Sequence, residues 1–215
     1  PLVAAIDNSG FANDPMGALR TMGTNIPPKR GGFWLAAGLK FSTFVIVNTT
    51  AVVYVSLDNG FELGLLGLSR MALPTEDFAI AQIELALKAR FSTAEGLLSV
   101  QAQLTDRSYL FHPSCQLTGG FAFFLWFKTG KFVLTLGGYH KAFSKPPEFP
   151  VVPRLGFRWS VSNAVVIKGE SYFALTTTCV MAGGRLEASY RGGSVKAWFK
   201  VYLDVLVSWD PFYYV

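Results

Sequence analysis

Between Val195 and Trp209 every second residue is apolar: Val195, Ala197, Phe199, Val201, Leu203, Val205, Val207 and Trp209. The residues between them are mixed, with Lys196, Lys200 and Asp204 beside Trp198, Tyr202 and Leu206. A period of two places alternate side chains on opposite faces of a strand. The same pattern marks residues 79–91, where Ile83, Leu85, Leu87, Ala89 and Phe91 alternate with Gln82, Glu84, Lys88 and Arg90. It continues in residues 98–104, and Ser92–Gly96 between the two predicts a hairpin turn. A helix competes over 76–90, because Glu, Ala, Leu and Lys are helix formers, but the alternation favours a strand.

The rest of the chain follows suit. Strands are expected over 33–47, 51–57 and 61–73, with breaks at Asn48-Thr49-Thr50 and at Asp58-Asn59-Gly60. A hairpin is expected over 121–137 around Thr129-Gly130, and further strands over 156–161, 165–175 and 179–190. Residues 1–32 read as an irregular segment of Gly, Pro, Asn and Asp turns. Residues 138–153, with four prolines, read as an ordered connector, because the strand pattern resumes after them. These readings describe an all-β chain. A long antiparallel meander of about ten strands fills residues 33–215 as a single β domain, in the form of a curved sheet, barrel-like or a half-open trough.

Composition narrows the function. The 215 residues are 51% hydrophobic and 15% charged, where a typical soluble domain has about 25% charge, so a disordered chain is excluded. No apolar run reaches the roughly 18 residues of a spanning helix. A transmembrane barrel fits poorly, since its lumen face is polar and here the second face is often apolar too, as at Trp198, Tyr202, Phe121 and Phe123. Charge is uneven: residues 1–107 carry 8 basic and 9 acidic groups, residues 108–215 carry 11 and 5. A basic half suits an anionic surface. The start at Pro1 reads as a fragment or a processed chain. Cys115 and Cys179 are too few for a disulfide framework and are expected as two buried thiols or one bridge.

A second line comes from particular phrases. Pro153-Arg154-Leu155-Gly156-Phe157-Arg158-Trp159, Lys168-Gly169-Glu170-Ser171-Tyr172-Phe173-Ala174-Leu175 and Met181-Ala182-Gly183-Gly184-Arg185-Leu186-Glu187-Ala188 occur in order. With Gly137-Gly138-Tyr139-His140 and Gly32-Phe33-Trp34, residues 30–215 resemble a domain of unknown function found near the C-terminal end of large fungal and bacterial proteins. The resemblance implies a piece of a larger polypeptide and carries no activity.

Candidate chemistry is sparse. His112, Cys115, His140 and Cys179 lack the two tight ligand pairs of a structural zinc site, so no metal and no cofactor is expected. No phosphate loop or nucleophile elbow occurs. The leading expectation is a non-enzymatic module whose apolar concave face, the inner wall of the curved sheet, binds a hydrophobic, lipid-like ligand or packs on neighbouring domains. Phe173, Leu186, Phe199, Val201, Leu203 and Val205 are the expected lining, and Arg185, Lys196 and Lys200 the expected head-group contacts. An anionic membrane surface and self-association are further expected partners; nucleic acid is not. The alternative is a carbohydrate-active or carbohydrate-binding protein that uses Glu170 and Glu187 with nearby aromatics.

Overall fold

The computed structural model describes residues 31–43, 46–58, 60–75 and 78–215. The irregular segment expected over 1–32 lies, apart from Gly31 and Gly32, outside these residues. Among the described residues there is no helix. Residues 81–92, where helix competed, form a strand. Fourteen strands run in order: β1 (Trp34–Thr43), β2 (Val47–Ser56), β3 (Glu62–Leu73), β4 (Ala81–Ser92), β5 (Leu97–Leu104), β6 (Tyr109–Leu110), β7 (His112–Thr118), β8 (Gly120–Trp126), β9 (Lys131–Leu136), β10 (Leu155–Ser160), β11 (Val165–Thr176), β12 (Cys179–Gly192), β13 (Val195–Trp209) and β14 (Phe212–Tyr214). All belong to one antiparallel sheet.

The pairing contains a ring. One route from β4 to β11 passes through β5, β8 and β9, and another through β6, β7 and β10. The register shows why this is not a barrel. The two routes are the two halves of three long strands, each interrupted once. Leu104 of β5 faces Leu85, while Tyr109 of β6 faces Gln82. Three steps along β4 thus match five along its neighbour, a bulge of two extra residues. The bulge is tied to Glu84, whose backbone oxygen accepts from the Thr105 amide at 2.9 Å and the Ser108 hydroxyl at 3.1 Å. Strands β7 and β8 are separated by Gly119 alone, at φ +147°. Leu155 lies 2.5 Å from where a Cβ at Gly119 would sit, so a larger residue has neither the backbone angle nor the space.

The third interruption is the connector. Phe173 of β11 faces Leu136 of β9, and two residues away Ser171 faces Leu155 of β10. The strand that enters at Lys131 therefore leaves the sheet after Gly137 and re-enters at Leu155, with residues 138–154 looped out. Removing these breaks, ten strand lines follow one another as a meander, with β14 added at the end.

The connector packs back onto the sheet. Tyr139 and Phe143 lie against a buried cluster of Tyr172, Ala174, Cys179, Met181 and Leu206. Phe149 stacks on Trp126, with ring centroids 5.7 Å apart. Arg154 clamps the loop: its guanidinium donates to the carbonyls of Gly137 and Tyr139 and sits 3.9 Å over the Tyr172 ring. The Lys145 ammonium donates to the carbonyls of Pro146 and Phe149.

Two expectations need correction. Asn48-Thr49-Thr50 is not a break but the interior of β2. Thr49 is buried and its hydroxyl meets that of Ser69 across the strand pair at 3.0 Å, so the polar residues belong to the ladder. The apolar side of β13 was expected as an inner wall. Phe199, Val201 and Leu203 are instead 58%, 50% and 71% exposed. That side is open to solvent.

Candidate functional site

The register assigns every strand residue to one of two faces. Across an antiparallel pair, directly opposite residues share a face. From β1 to β13 one face carries Leu35, Val53, Leu65, Leu87, Val100, Phe123, Leu134, Leu175, Val180 and Val207, each opposite or in line with the next. Every charged residue of the strands, from Lys40 through Arg90, Lys168 and Glu187 to Asp204, lies on the other face. The first face has none. On this charge-free face the buried hydrophobic residues are small: Ala51, Ala81 and Cys115. Its Leu, Ile, Val, Met and Phe side chains are all partly or largely exposed.

The extent of this face is the decisive magnitude. Ten strand lines about 4.8 Å apart and some 30 Å long span roughly 1,400 Å². The largest apolar patch on an ordinary soluble monomer is about 300–600 Å². The six residues expected to line a ligand site all lie here, gathered on β11 to β13. Val201 is opposite Leu186, and Val205 is in line with Phe173 through Ala182.

The other face carries the charges and also the buried cluster. Glu84 is 3% exposed, accepts from Thr105 and Arg70 at 2.7 Å each, and has Arg107 at 3.6 Å. Burial pushes its carboxyl up, but those hydrogen bonds and the two guanidinium charges outweigh it and hold it below the usual carboxylate range. Arg90 bridges Glu62 and Glu95, and Tyr54 donates to Glu62. The Arg90 hydrogen bond keeps the Glu62 carboxyl low. Near the connector a cleft of about 320 Å³ is lined by Lys141, Arg154, Glu170, Arg185, Lys200 and Asp204, among others. Within it Arg185 donates to Glu170 at 2.6 Å, and the Tyr172 hydroxyl donates to Asp204 at 2.9 Å.

The expected head-group residues Arg185, Lys196 and Lys200 therefore lie on the face opposite the expected lining. A ligand along Phe199 and Val201 reaches them only around the β13 edge. Glu170 and Glu187 share the charged face, but each stands in a cross-strand charge ladder. Glu170 is opposite Arg185, and Glu187 lies between Lys168 and Lys200. His112 bonds within its own turn to Ser114, and buried His140 accepts from the Ala142 amide. No group of three metal-ligating residues forms among the described residues. Cys115 and Cys179 are free buried thiols, and burial pushes the Cys115 thiol up.

Sequence reasoning missed the role of Arg154 and the connector aromatics. Their signal was the aromatic content of a proline-rich stretch, since Tyr139, Phe143 and Phe149 have no reason to sit in a solvated loop. No curated protein and no solved structure matches the chain. The chain belongs to the Family of unknown function (DUF6603), which it matches over residues 1–215.

Proposed function

We propose that the chain is a non-enzymatic lipid-binding module whose charge-free sheet face receives acyl chains. The observation that supports this is the complete separation of charge from one face of a ten-line sheet, together with the exposure of its large side chains. A protein partner is registered by roughly one hydrogen bond per 100–200 Å². This face offers few polar side chains, among them Thr49, Ser69, Ser171 and Tyr190. It gives a partner domain little to align against, whereas a fluid hydrocarbon needs no alignment. The same reading takes the chain as a module of a larger fungal or bacterial polypeptide.

The energetics set the kind of lipid. Full burial of a methylene is worth about 0.8 kcal/mol, so a chain lying on an open face, desolvated on one side, gains about half of that. Ten carbons then give about 4 kcal/mol, no better than millimolar binding before ordering costs. Two sixteen-carbon chains give about 13 kcal/mol on the same basis, so a diacyl lipid is the ligand this face suits. The test is native mass spectrometry of the purified chain together with uptake of a fluorescent diacyl phospholipid. Lipid adducts and uptake are expected, and both fall at least tenfold in a Phe199→Glu/Leu203→Glu variant while Lys196→Glu retains them. A lipid-free spectrum without uptake, or equal uptake by the double variant, sinks the proposal.

A further inference from the structure

The last long strand leaves one edge open. Leu206 both donates to and accepts from Val215, on the side away from β12, while the Trp209 amide points to Thr178 beside β12. Backbone groups alternate sides along a strand. Lys196, Trp198, Lys200, Tyr202 and Asp204 therefore direct their amides and carbonyls outward, as Leu206 does. Strand β14 pairs only Val207–Trp209, so the stretch Val195–Val205 carries five outward residues with no strand partner among the described residues. Natural edges are blunted by proline, bulges, brevity or charged side chains, lysine above all, and on this edge Lys196 and Lys200 are the charges that a contact has to pair. This one has no proline, its pairing to β12 is unbroken over its whole length, and Trp198 and Tyr202 are 80% and 66% exposed.

We infer that β13 pairs antiparallel with β13 of a second copy, about a two-fold axis at Lys200. The open stretch is centred on that residue. The axis sets Lys196 opposite the second copy's Asp204 twice, and Trp198 opposite its Tyr202 twice. On the charge-free side Val195 meets Val205, Ala197 meets Leu203, and Phe199 meets Val201. The two Lys200 side chains meet at the centre, where each already faces Glu187 on its own β12. Opposite charges and aromatic pairs across strands are the stabilising combinations. The other open edge, β1, carries one charged residue, Lys40. A β13–β1 contact would be head-to-tail, with fewer charge pairs, and would build a ring or an open filament rather than a pair. The isologous pair closes, and it joins two charge-free faces into one sheet. The inference does not depend on lipid binding.

Register decides the test. Opposed residues in such a pair have Cα atoms about 5.5 Å apart, within disulfide range. Residue 198 and its own copy lie about 13 Å apart along the strands. The chain is expected to sediment at twice its 23.5 kDa mass at tens of micromolar. Under mild oxidation Lys200→Cys is expected to cross-link and Trp198→Cys is not, while the double variant Trp198→Cys/Tyr202→Cys is. Cys115 and Cys179 are buried and do not compete. Trp198→Pro removes an outward amide, so its sheet signal in circular dichroism is retained while the dimer dissociation constant rises roughly tenfold or more. A monomer throughout, equal cross-linking by Lys200→Cys and Trp198→Cys, or a folded Trp198→Pro that dimerises normally overturns the inference. The cysteine comparison decides it if the proline variant does not fold.

Discussion

Leu203 and Leu206 offer a direct measurement of how the two faces differ. They are the same residue type, three positions apart on β13, on opposite faces. Leu206 is 0% exposed and packs in the cluster with Met181, Ala174 and Tyr172; Leu203 is 71% exposed. Truncating a buried leucine to alanine costs about 2–5 kcal/mol, because the lost transfer energy is joined by a cavity. Leu206→Ala is expected near 3 kcal/mol. For Leu203 only about three-tenths of the side chain is withdrawn from water. At about 2 kcal/mol for full burial this amounts to roughly 0.6 kcal/mol, with no cavity. Both variants share one strand and one residue type, so most of the propensity difference cancels. The assay is equilibrium urea unfolding followed by circular dichroism at low micromolar concentration, with slopes checked for constancy. Midpoints should separate clearly, with Leu203→Ala close to wild type. A loss above about 2 kcal/mol at Leu203, or equal losses at the two sites, would refute the account of an uncovered face.

Two further outcomes concern the charged face. Glu84→Gln keeps the shape but removes the charge that Arg70 and Thr105 address, and about 2–3 kcal/mol of stability should be lost near neutral pH. Because the folded carboxyl is held low, its contribution is full above the unfolded value near 4.3 and is lost as pH falls through the folded value. Melting temperatures between pH 6 and 3 should therefore fall more steeply in wild type than in Glu84→Gln, and parallel profiles would contradict the assignment. Arg154→Met removes the clamp on the Gly137 and Tyr139 carbonyls and the cation over Tyr172. Amide exchange over 138–153 should accelerate at least tenfold while β3 and β4 stay protected, and unchanged exchange would show that the aromatics alone hold the connector.

Much of the strand plan was legible because alternation is local. Residues 81–91 and 195–209 carry an apolar residue at every second position, and the turn expected at Asp58-Asn59-Gly60 has Gly60 at φ +95°. The failures have local causes. Asn48-Thr49-Thr50 reads as a turn by polarity, but threonine is a strand former, and Thr49 finds its partner on Ser69, twenty residues away. The bulge over 105–108 and the short β6 leave too few alternating positions to register as a strand. They are held by Glu84, a residue whose pairing to Thr105 and Ser108 no window of sequence contains.

The six residues expected to line a ligand site do share one face, but that face lies open where an inner wall was expected, and the reason is physical. Alternation tells which residues share a face; it does not tell which face is covered. In a two-layer protein the apolar face is the covered one, and charge marks the outside. Here the cover is residues 138–154, and they lie on the charged face, against Ala174, Met181 and Leu206; Ala122 and Val133 are buried on that same face. Those residues alternate along the chain with apolar neighbours such as Phe123, Leu134 and Leu175, so both sides of these strands look oily and neither stands out. The connector reaches only part of the charged face. Further out that face turns to Arg70, Lys88, Lys168 and Glu187. A short loop thus provides the buried core for the middle of the sheet. The wide charge-free side is left with no covering from the described strands, and that is the property any ligand or second copy would meet first.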